Sequence, residues 1–455
     1  KTKLCTARPG WQAMSLRAGR YKSTYRNIKV DLYDVLEVNE EKQTCRVEPM
    51  CSMGKLTHYL LPKGWTIPVV PELDDLTVGG LVAGVGIETS SHKYGLFQHI
   101  CLAFEIVLAD GSLVNCSANE NSDLFYSIPW SHGTLGFVVS VELRMIRAHP
   151  YIDLTYLPFH SKSEAILEFS RHSTEQKYDF VECLAYSNTK YVVMIGNYCD
   201  TKYIPGAIYN PIGLWYKEWF YKHVEKFLLN DKRKNSSNLN ETSPLVGTFH
   251  REIIPLRHYY HRHTKGLFWE MSDIVPFGNH IVFRYLLGWM MPPKPSLLKR
   301  TQTEALRKLY ENHHMVQDML VPMSKLDECL DIFQNETAIY PLWLCPFKIP
   351  SNKTITTDGT NYPKVGMTEE IFVDVGAYGN PSVPGYEAKA THRRIEDYVR
   401  SVKGYQMMYA DSYMTREEFR EMFDHTLYDK MRAQLPLCTQ AFPEVYDKVS
   451  KAARI

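Results

Sequence analysis

At 455 residues with 44% hydrophobic content, the chain carries enough apolar material for two cores, and its length fits two or three domains. Fifty-two basic residues stand against 51 acidic ones, so the formal charge is +1, which excludes the one-signed electrostatic footprint of a nucleic-acid binder. The 10 dispersed cysteines include no CxxC pair; that excludes a zinc ribbon and a dense disulfide framework and favours a reducing compartment, although N-x-S/T triplets occur at Asn115, Asn235, Asn240, Asn335 and Asn352.

The chain enters a Gly/Pro turn at residues 7–11 (ARPGW) without a capped start, so it is expected to begin inside a domain, with any membrane anchor upstream. No run of 18 apolar residues follows. Residues 28–47 read as short strands (IKVDL, VLEV, TCRVE) with a turn at 39–42. A helical period covers 53–61 and stops at Pro62 and Gly64. After a Gly-rich stretch come two strands (LAFEIVLA, SLVNCS) joined by Asp110-Gly111, a strong hairpin signal. A helix over 121–126 and a strand over 136–146 close a first domain, residues 1–150.

Residues 151–394 mix helices (164–172, 301–312) with strands (FVECLAY, YVVMIGNY, IYPLWLCPF, EIFVDVGAY), the pattern of an α+β domain on an antiparallel sheet. Within it, 230–244 is polar and free of aromatics, which predicts a disordered insertion, and 351–367 reads as a weak loop. Residues 395–455 carry amphipathic helices, one opened by the capping box Thr415…Glu418.

The Gly-rich stretch begins with Thr77-Val78-Gly79-Gly80 and continues to Gly84-x-Gly86. Glycines this close let backbone N–H groups approach phosphate oxygens. The order lacks the strand–GxGxxG–helix arrangement of a Rossmann fingerprint, and the glycines alone fit either a phosphate nest or a helix packed tightly on a sheet.

Residues 68–95, the strand ending LADGS, the tetrapeptide SDLF (122–125) and WSHGTLGFVV (130–139) follow in an order that resembles the FAD-binding domain of the vanillyl-alcohol oxidase and p-cresol methylhydroxylase family. PELDDLTVGG, GIETSSHKYGLFQHI, IPLRHYYHRHT, GWMMPPK, QDMLVP and AFPEVYDK resemble the delta-24-sterol reductase family with its Diminuto/Dwarf-like plant members, and this resemblance covers essentially the whole chain. It implies an α+β protein: a two-subdomain FAD-binding domain, an α+β cap domain on an antiparallel sheet, and a C-terminal segment (395–455) returning to the FAD domain.

Carried over position by position, the resemblance places Gly79, Gly80, Gly84 and Gly86 on the pyrophosphate of FAD, with Thr77, Ser90 and Ser91 as hydrogen-bond donors. Pro71, Glu72, Leu73, Asp74 and Val78 belong to the same cofactor-binding stretch. Tyr94 and Gly95 would pass the flavin ring, and Gly133, Thr134, Gly136 and Val138 would meet the adenosine end. Arg8, Pro9 and Gly10 stand where the family has a Gly-rich turn ending in His-Ser; without that histidine, noncovalent FAD is expected.

The implied reaction is reduction of the Δ24 bond of a desmosterol-like sterol: NADPH reduces the flavin, an acid protonates the alkene, and hydride quenches the cationic carbon. No second dinucleotide fingerprint marks an NADPH site. A positioned acid is worth about 10²- to 10⁴-fold. Candidates are Tyr409 (MMYAD), Glu182 (FVECL) and His261 in RHYYHRH. Each has a structural alternative: a core phenol, an ion-paired carboxylate, or a charged face or cofactor-phosphate site. His258, His261 and His263 are not spaced as a metal pair, so no metal is expected.

A sterol substrate implies a membrane surface, and the resemblance implies the endoplasmic reticulum membrane with the catalytic body facing the cytoplasm. Residues 214–228 (LWYKEWFYKHVEKFL) suit an interfacial helix; 281–291 (IVFRYLLGWMM) are more apolar but carry Arg284 and are too short to span. Both also fit packing against the cap core. Other readings are an alcohol or lactone oxidase of the same fold and a non-catalytic sterol-binding protein; the apolar strands of the middle region suit a lipid tail better than a polyol.

Overall fold

The computed structural model describes residues 2–7, 21–229, 250–292, 313–350 and 369–454. The helix expected at 301–312, the insertion at 230–244, the loop at 351–367 and the turn with Arg8, Pro9 and Gly10 lie outside them.

Two antiparallel sheets organise the molecule. The smaller has five strands in the order Val35–Asn39, Thr44–Val47, Phe137–Arg144, Cys101–Val107, Leu113–Ser117. Its last two strands form the expected hairpin, in which Asp110 Oδ1 accepts the Ser112 N–H at 3.0 Å and closes the turn. The strand expected over 136–146 is interrupted after Arg144 and resumes as Ile146–Arg147, which pairs with Trp65–Thr66. Of IKVDL only Ile28 is in a strand, Arg26–Ile28, which runs parallel to Leu4–Thr6.

The larger sheet has nine strands: Ile208–Tyr209, His250–Pro255, Tyr151–Phe159, Lys190–Cys199, Phe180–Ser187, Leu342–Pro350, Glu369–Gly379, Met315–Pro322 and Tyr405–Gln406. All neighbours are antiparallel except the first pair. Helices Lys162–Glu175, Leu326–Glu336 and Ala388–Ser401 pack along one face, while the short helix Ser91–Tyr94 packs on Leu342–Pro350. Central strands such as Met315–Pro322 are therefore buried along almost every residue, so they read as apolar runs rather than as an alternation.

Helix Ala388–Ser401 runs across residue 394, and the following strand Tyr405–Gln406 completes the edge of the large sheet. Helix Arg416–Met422 is capped as expected, Thr415 Oγ1 accepting the Glu418 N–H at 3.3 Å and Glu418 Oε2 the Thr415 N–H at 2.7 Å. Helix Thr426–Gln434 then reaches the first module: Tyr428 Oη lies 2.6 Å from Thr134 Oγ1, and Arg432 donates to Thr134 O at 2.9 Å. All ten cysteines are buried free thiols.

The interfacial helix expected at 214–228 is instead a core element. Helix Phe220–Leu229 buries Phe220, Tyr221, Val224 and Leu228, and Trp219 just before it is buried too. Its aromatic stripe faces protein, because Tyr156, Trp269 and His263 supply ring partners on the inner side.

Candidate active site

Thr77 caps helix Val78–Ala83 without using its side chain, and its hydroxyl is buried with no partner. Trp130 and His132 donate their N–H groups to Val82 O and Ala83 O at 3.4 and 2.8 Å, which docks residues 130–134 on the end of that helix. Gly84 closes the turn, donating to Gly80 O at 2.9 Å. Gly133 sits at φ +67, a conformation that favours glycine, and a Cβ there would lie 3.8 Å from both Gly136 O and Lys448 Nζ. The fold thus brings the two Gly-bearing segments together. Two buried orphan donors, the Thr77 hydroxyl and the Trp130 indole N–H, and a nearby ammonium fit an anionic, polar cofactor at this place.

Other glycines here have packing reasons. A Cβ at Gly79 would fall 2.7 Å from Pro49 Cβ, at Gly86 2.9 Å from Phe97 Cβ, and at Gly136 2.7 Å from Val107 O. The Ser90 hydroxyl, expected to face phosphate, donates instead to Pro68 O at 2.8 Å, and Ser91 Oγ accepts from Glu88 N at 3.0 Å; both serines are buried inside their own loop. Tyr94 ends helix Ser91–Tyr94, Gly95 turns the chain at φ +76, and Val138 is half-buried on strand Phe137–Arg144.

Pro71, Glu72 and Leu73 are buried, and Asp74 is half-buried. This stretch is clasped by the turn after helix Leu256–Tyr260: Arg257 donates to Asp74 Oδ1 at 3.1 Å, and Thr264 Oγ1 accepts from Asp74 N at 3.1 Å and donates to Glu72 O at 3.2 Å.

Arg262 is wholly buried. It donates from Nε and Nη2 to both Glu182 oxygens at 2.9 Å, from Nη2 to Glu88 Oε1 at 2.9 Å, and from Nη1 to Tyr259 O at 3.0 Å. Trp343 Nε1 also donates to Glu182 at 2.9 Å. Burial drives the Glu182 carboxyl up, but the charge of Arg262, then adjacent His263 and the Arg262 hydrogen bonds, outweigh it and hold the group down at about 2. Glu182, a candidate acid in the sequence, is therefore ionised at neutral pH and has no proton to give; it is the ion-paired carboxylate of the alternative reading. Burial lowers His261 and His263 to about 4 each, so both rings are neutral, with His261 Nε2 2.8 Å from Thr57 Oγ1. His261, Arg262 and His263 are buried, which removes the solvated charged face.

Tyr409 lies in a different group. Its hydroxyl donates to Asp318 Oδ2, and Tyr378 donates to Asp318 Oδ1 at 2.6 Å. Asp318 faces Gly376 across the ladder of Met315–Pro322 with Glu369–Gly379. A Cβ at Gly376 would lie 2.6 Å from Tyr378 Oη and 2.9 Å from Asp318 Oδ1, so the glycine makes room for this pair. Burial raises Asp318 to about 6 although both phenols stabilise its charge. Burial, then the neighbouring carboxyls, also raise Asp374 and Glu72 well above the carboxylate range, and burial together with Asp318 keeps both phenols protonated. Asp318 and Tyr378 are buried, whereas Tyr409 as a whole residue is half-buried.

Asp318, Tyr378, Asp374, Glu88 and Arg262 were not singled out in the sequence. A lone acid inside an apolar strand run (VQDMLVP, IFVDVGAY) was the available signal. Among the described residues no group of three His, Cys, Asp or Glu side chains is arranged to hold a metal ion.

Comparison with known proteins agrees with this architecture. Residues 8–117 match the FAD binding domain family. The class so defined is that of FAD-dependent oxidoreductases with an α+β fold. The chain is 54% identical over 454 residues to the Delta(24)-sterol reductase of Homo sapiens, all of the chain aligning with 83% of that protein. It is 46% identical over 470 residues to a Delta(24)-sterol reductase homolog of Caenorhabditis elegans, covering 100% of the chain and 84% of the relative. With the Delta(24)-sterol reductase of Arabidopsis thaliana the identity is 41% over 475 residues, covering 99% and 81%. The chain belongs to the Delta(24)-sterol reductase family.

Proposed function

We propose that this chain reduces the delta-24 double bond of a sterol side chain, with noncovalent FAD recharged by NADPH, and with Tyr409 as the proton donor. The family supports the substrate, and the observation that carries the chemistry is the hydrogen-bonded group Tyr378–Asp318–Tyr409. FAD, held by residues 77–86 and 130–136, supplies hydride when bound.

An isolated alkene also needs a proton, and the chain's own residues provide it. The Tyr409 phenol remains protonated across the physiological range because burial and Asp318 both oppose its ionisation. When Asp318 is itself protonated, it donates to Tyr409 Oη while that hydroxyl releases its proton to the alkene carbon, so the proton lost overall comes from Asp318. Tyr378 holds the other Asp318 oxygen and fixes the carboxyl plane. The acid form of Asp318 is the active one, so this route weakens as pH rises through about 6. The fully packed strands around it keep water from competing for the proton.

The place of work in this proposal is the endoplasmic reticulum membrane, with the body on the cytoplasmic side. The test is anaerobic: NADPH should bleach the yellow protein, and desmosterol added afterwards should restore the oxidised flavin spectrum. Flavin that stays reduced with the sterol present would refute the reading. Acid precipitation should release the flavin; colour retained in the pellet would contradict noncovalent binding.

A further inference from the structure

Residues 277–290 present Phe277, Ile281, Val282, Tyr285, Leu286 and Trp289 to the outside, each 56–67% exposed. Helix Ile281–Leu287 is short; Ile281, Val282, Tyr285 and Leu286 fall at i, i+1, i+4 and i+5 on one side of it, and Trp289 follows in the 3-10 turn Gly288–Met290. The one charge in the run, Arg284, points the other way. It is buried and donates to Asn279 O at 3.0 Å and Tyr216 O at 2.7 Å, beside Glu218 at 3.5 Å. Beneath it Lys265 donates to Ile212 O and Leu214 O at 2.9 Å and to Lys217 O at 3.2 Å. Buried Arg284 and half-buried Lys265 thus occupy carbonyl oxygens of the supporting loop that water would otherwise serve. The Trp289 indole N–H, though its ring is exposed, donates to Leu286 O at 3.2 Å.

These features answer the requirement of a hydrocarbon medium, in which backbone and side-chain polar groups must find partners inside the protein. Water does not impose that requirement, and a protein partner is met with polar contacts around an apolar centre. We propose that this face docks onto the surface of a lipid bilayer, the side chains from Phe277 to Trp289 entering the acyl boundary as a wedge. Trp and Tyr at its edge match the residues favoured at that depth, and Tyr285 is braced by stacking on Tyr216 with ring centroids 5.5 Å apart. Its use for taking a lipid-dissolved substrate rests on the sterol reading; the docking itself does not. No helix among the described residues is long and apolar enough to cross a membrane, so this contact lies on one leaflet.

The test is co-sedimentation of the purified 455-residue chain with vesicles of phosphatidylcholine alone, repeated with L286E/W289E. Both side chains are exposed, and an unchanged melting temperature checks the fold. Binding by the unaltered chain and a loss of about tenfold or more in the variant is expected, from the apolar area removed. Tryptophan fluorescence should also be quenched by brominated acyl chains in the former and not in the latter. No binding by the unaltered chain, or equal binding by both, overturns the proposal; so does a variant that converts a dimer to a monomer in sedimentation velocity, which would show a second copy covering the face. Turnover of detergent-dispersed sterol separates the two ideas: absent turnover with intact vesicle binding sinks the sterol reading alone, and normal turnover without vesicle binding sinks the docking alone.

Discussion

Two groups of buried carboxyls involve strands of the large sheet, and they differ in one respect. Glu88 and Glu182 share Arg262, whereas the hydrogen-bond donors to Asp318 are two phenols. The cation turns the first group into a clamp: Glu182 is ionised at every working pH, and the turn after helix Leu256–Tyr260 is tied to the large sheet through Glu182 and to the loop before helix Ser91–Tyr94 through Glu88. Without a cation, the second group prefers its neutral form, which is the form that can deliver a proton. Glu182 and Asp318 are buried alike; the counter-charge decides the role of each.

The largest effect should follow breaking the clamp. Arg262→Met leaves the Glu182 carboxylate buried without its counter-charge and should cost about 3–5 kcal/mol in denaturant unfolding. A loss under about 1 kcal/mol would mean that Glu182 is not held as a charge. Tyr409→Phe keeps the ring and removes the proton, so turnover should fall by about 10²- to 10⁴-fold with flavin content and melting temperature nearly unchanged. Normal turnover in that variant would assign the acid elsewhere. Asp318→Asn should cost about 10²-fold and also abolish the decline in activity above pH 6, while Glu182→Gln should leave that decline in place. Gly376→Ala is the mildest case: the new methyl displaces Tyr378 Oη and should lower turnover by about tenfold, with little effect on substrate binding.

Stability should respond to pH with opposite signs in the two groups. The folded-state value of Asp318 lies above its unfolded one, so its favourable contribution is present at low pH and is lost as pH rises through about 6. Glu182 is held below its unfolded value, so its contribution is present above that value and is lost as pH falls through about 2. Melting curves of Asp318→Asn and of the parent chain between pH 4 and pH 7 should therefore diverge most at the upper end.

Local signals were legible where local chemistry sets the structure. The Asp110-Gly111 turn and the Thr415…Glu418 cap needed no distant partner, and motif order across the first 139 residues led to the FAD-binding family. Roles set by distant partners were not legible. Arg262 is 80 residues from Glu182 and 174 from Glu88, so nothing near FVECL in the sequence marks that carboxylate as paired. Similarly, residues 214–228 look interfacial because their aromatics alternate with lysines, yet the sheet supplies inner partners for the rings. Arg284 seems to spoil the next apolar run, until its guanidinium is seen to turn inward onto Tyr216 O. Charge counted along a strip of sequence has no direction; a folded side chain does.

The contacts of Thr134 with Tyr428, and of His132 with Lys448, have a consequence for biogenesis. The loop that joins them to the Gly-rich helix is made some 300 residues before its partners leave the ribosome. At synthesis rates of about 5–20 residues per second, that interval is tens of seconds. The first module would spend it with one wall missing, so capture of the cofactor should be among the last events in maturation, and a chain arrested before residue 428 should emerge without flavin.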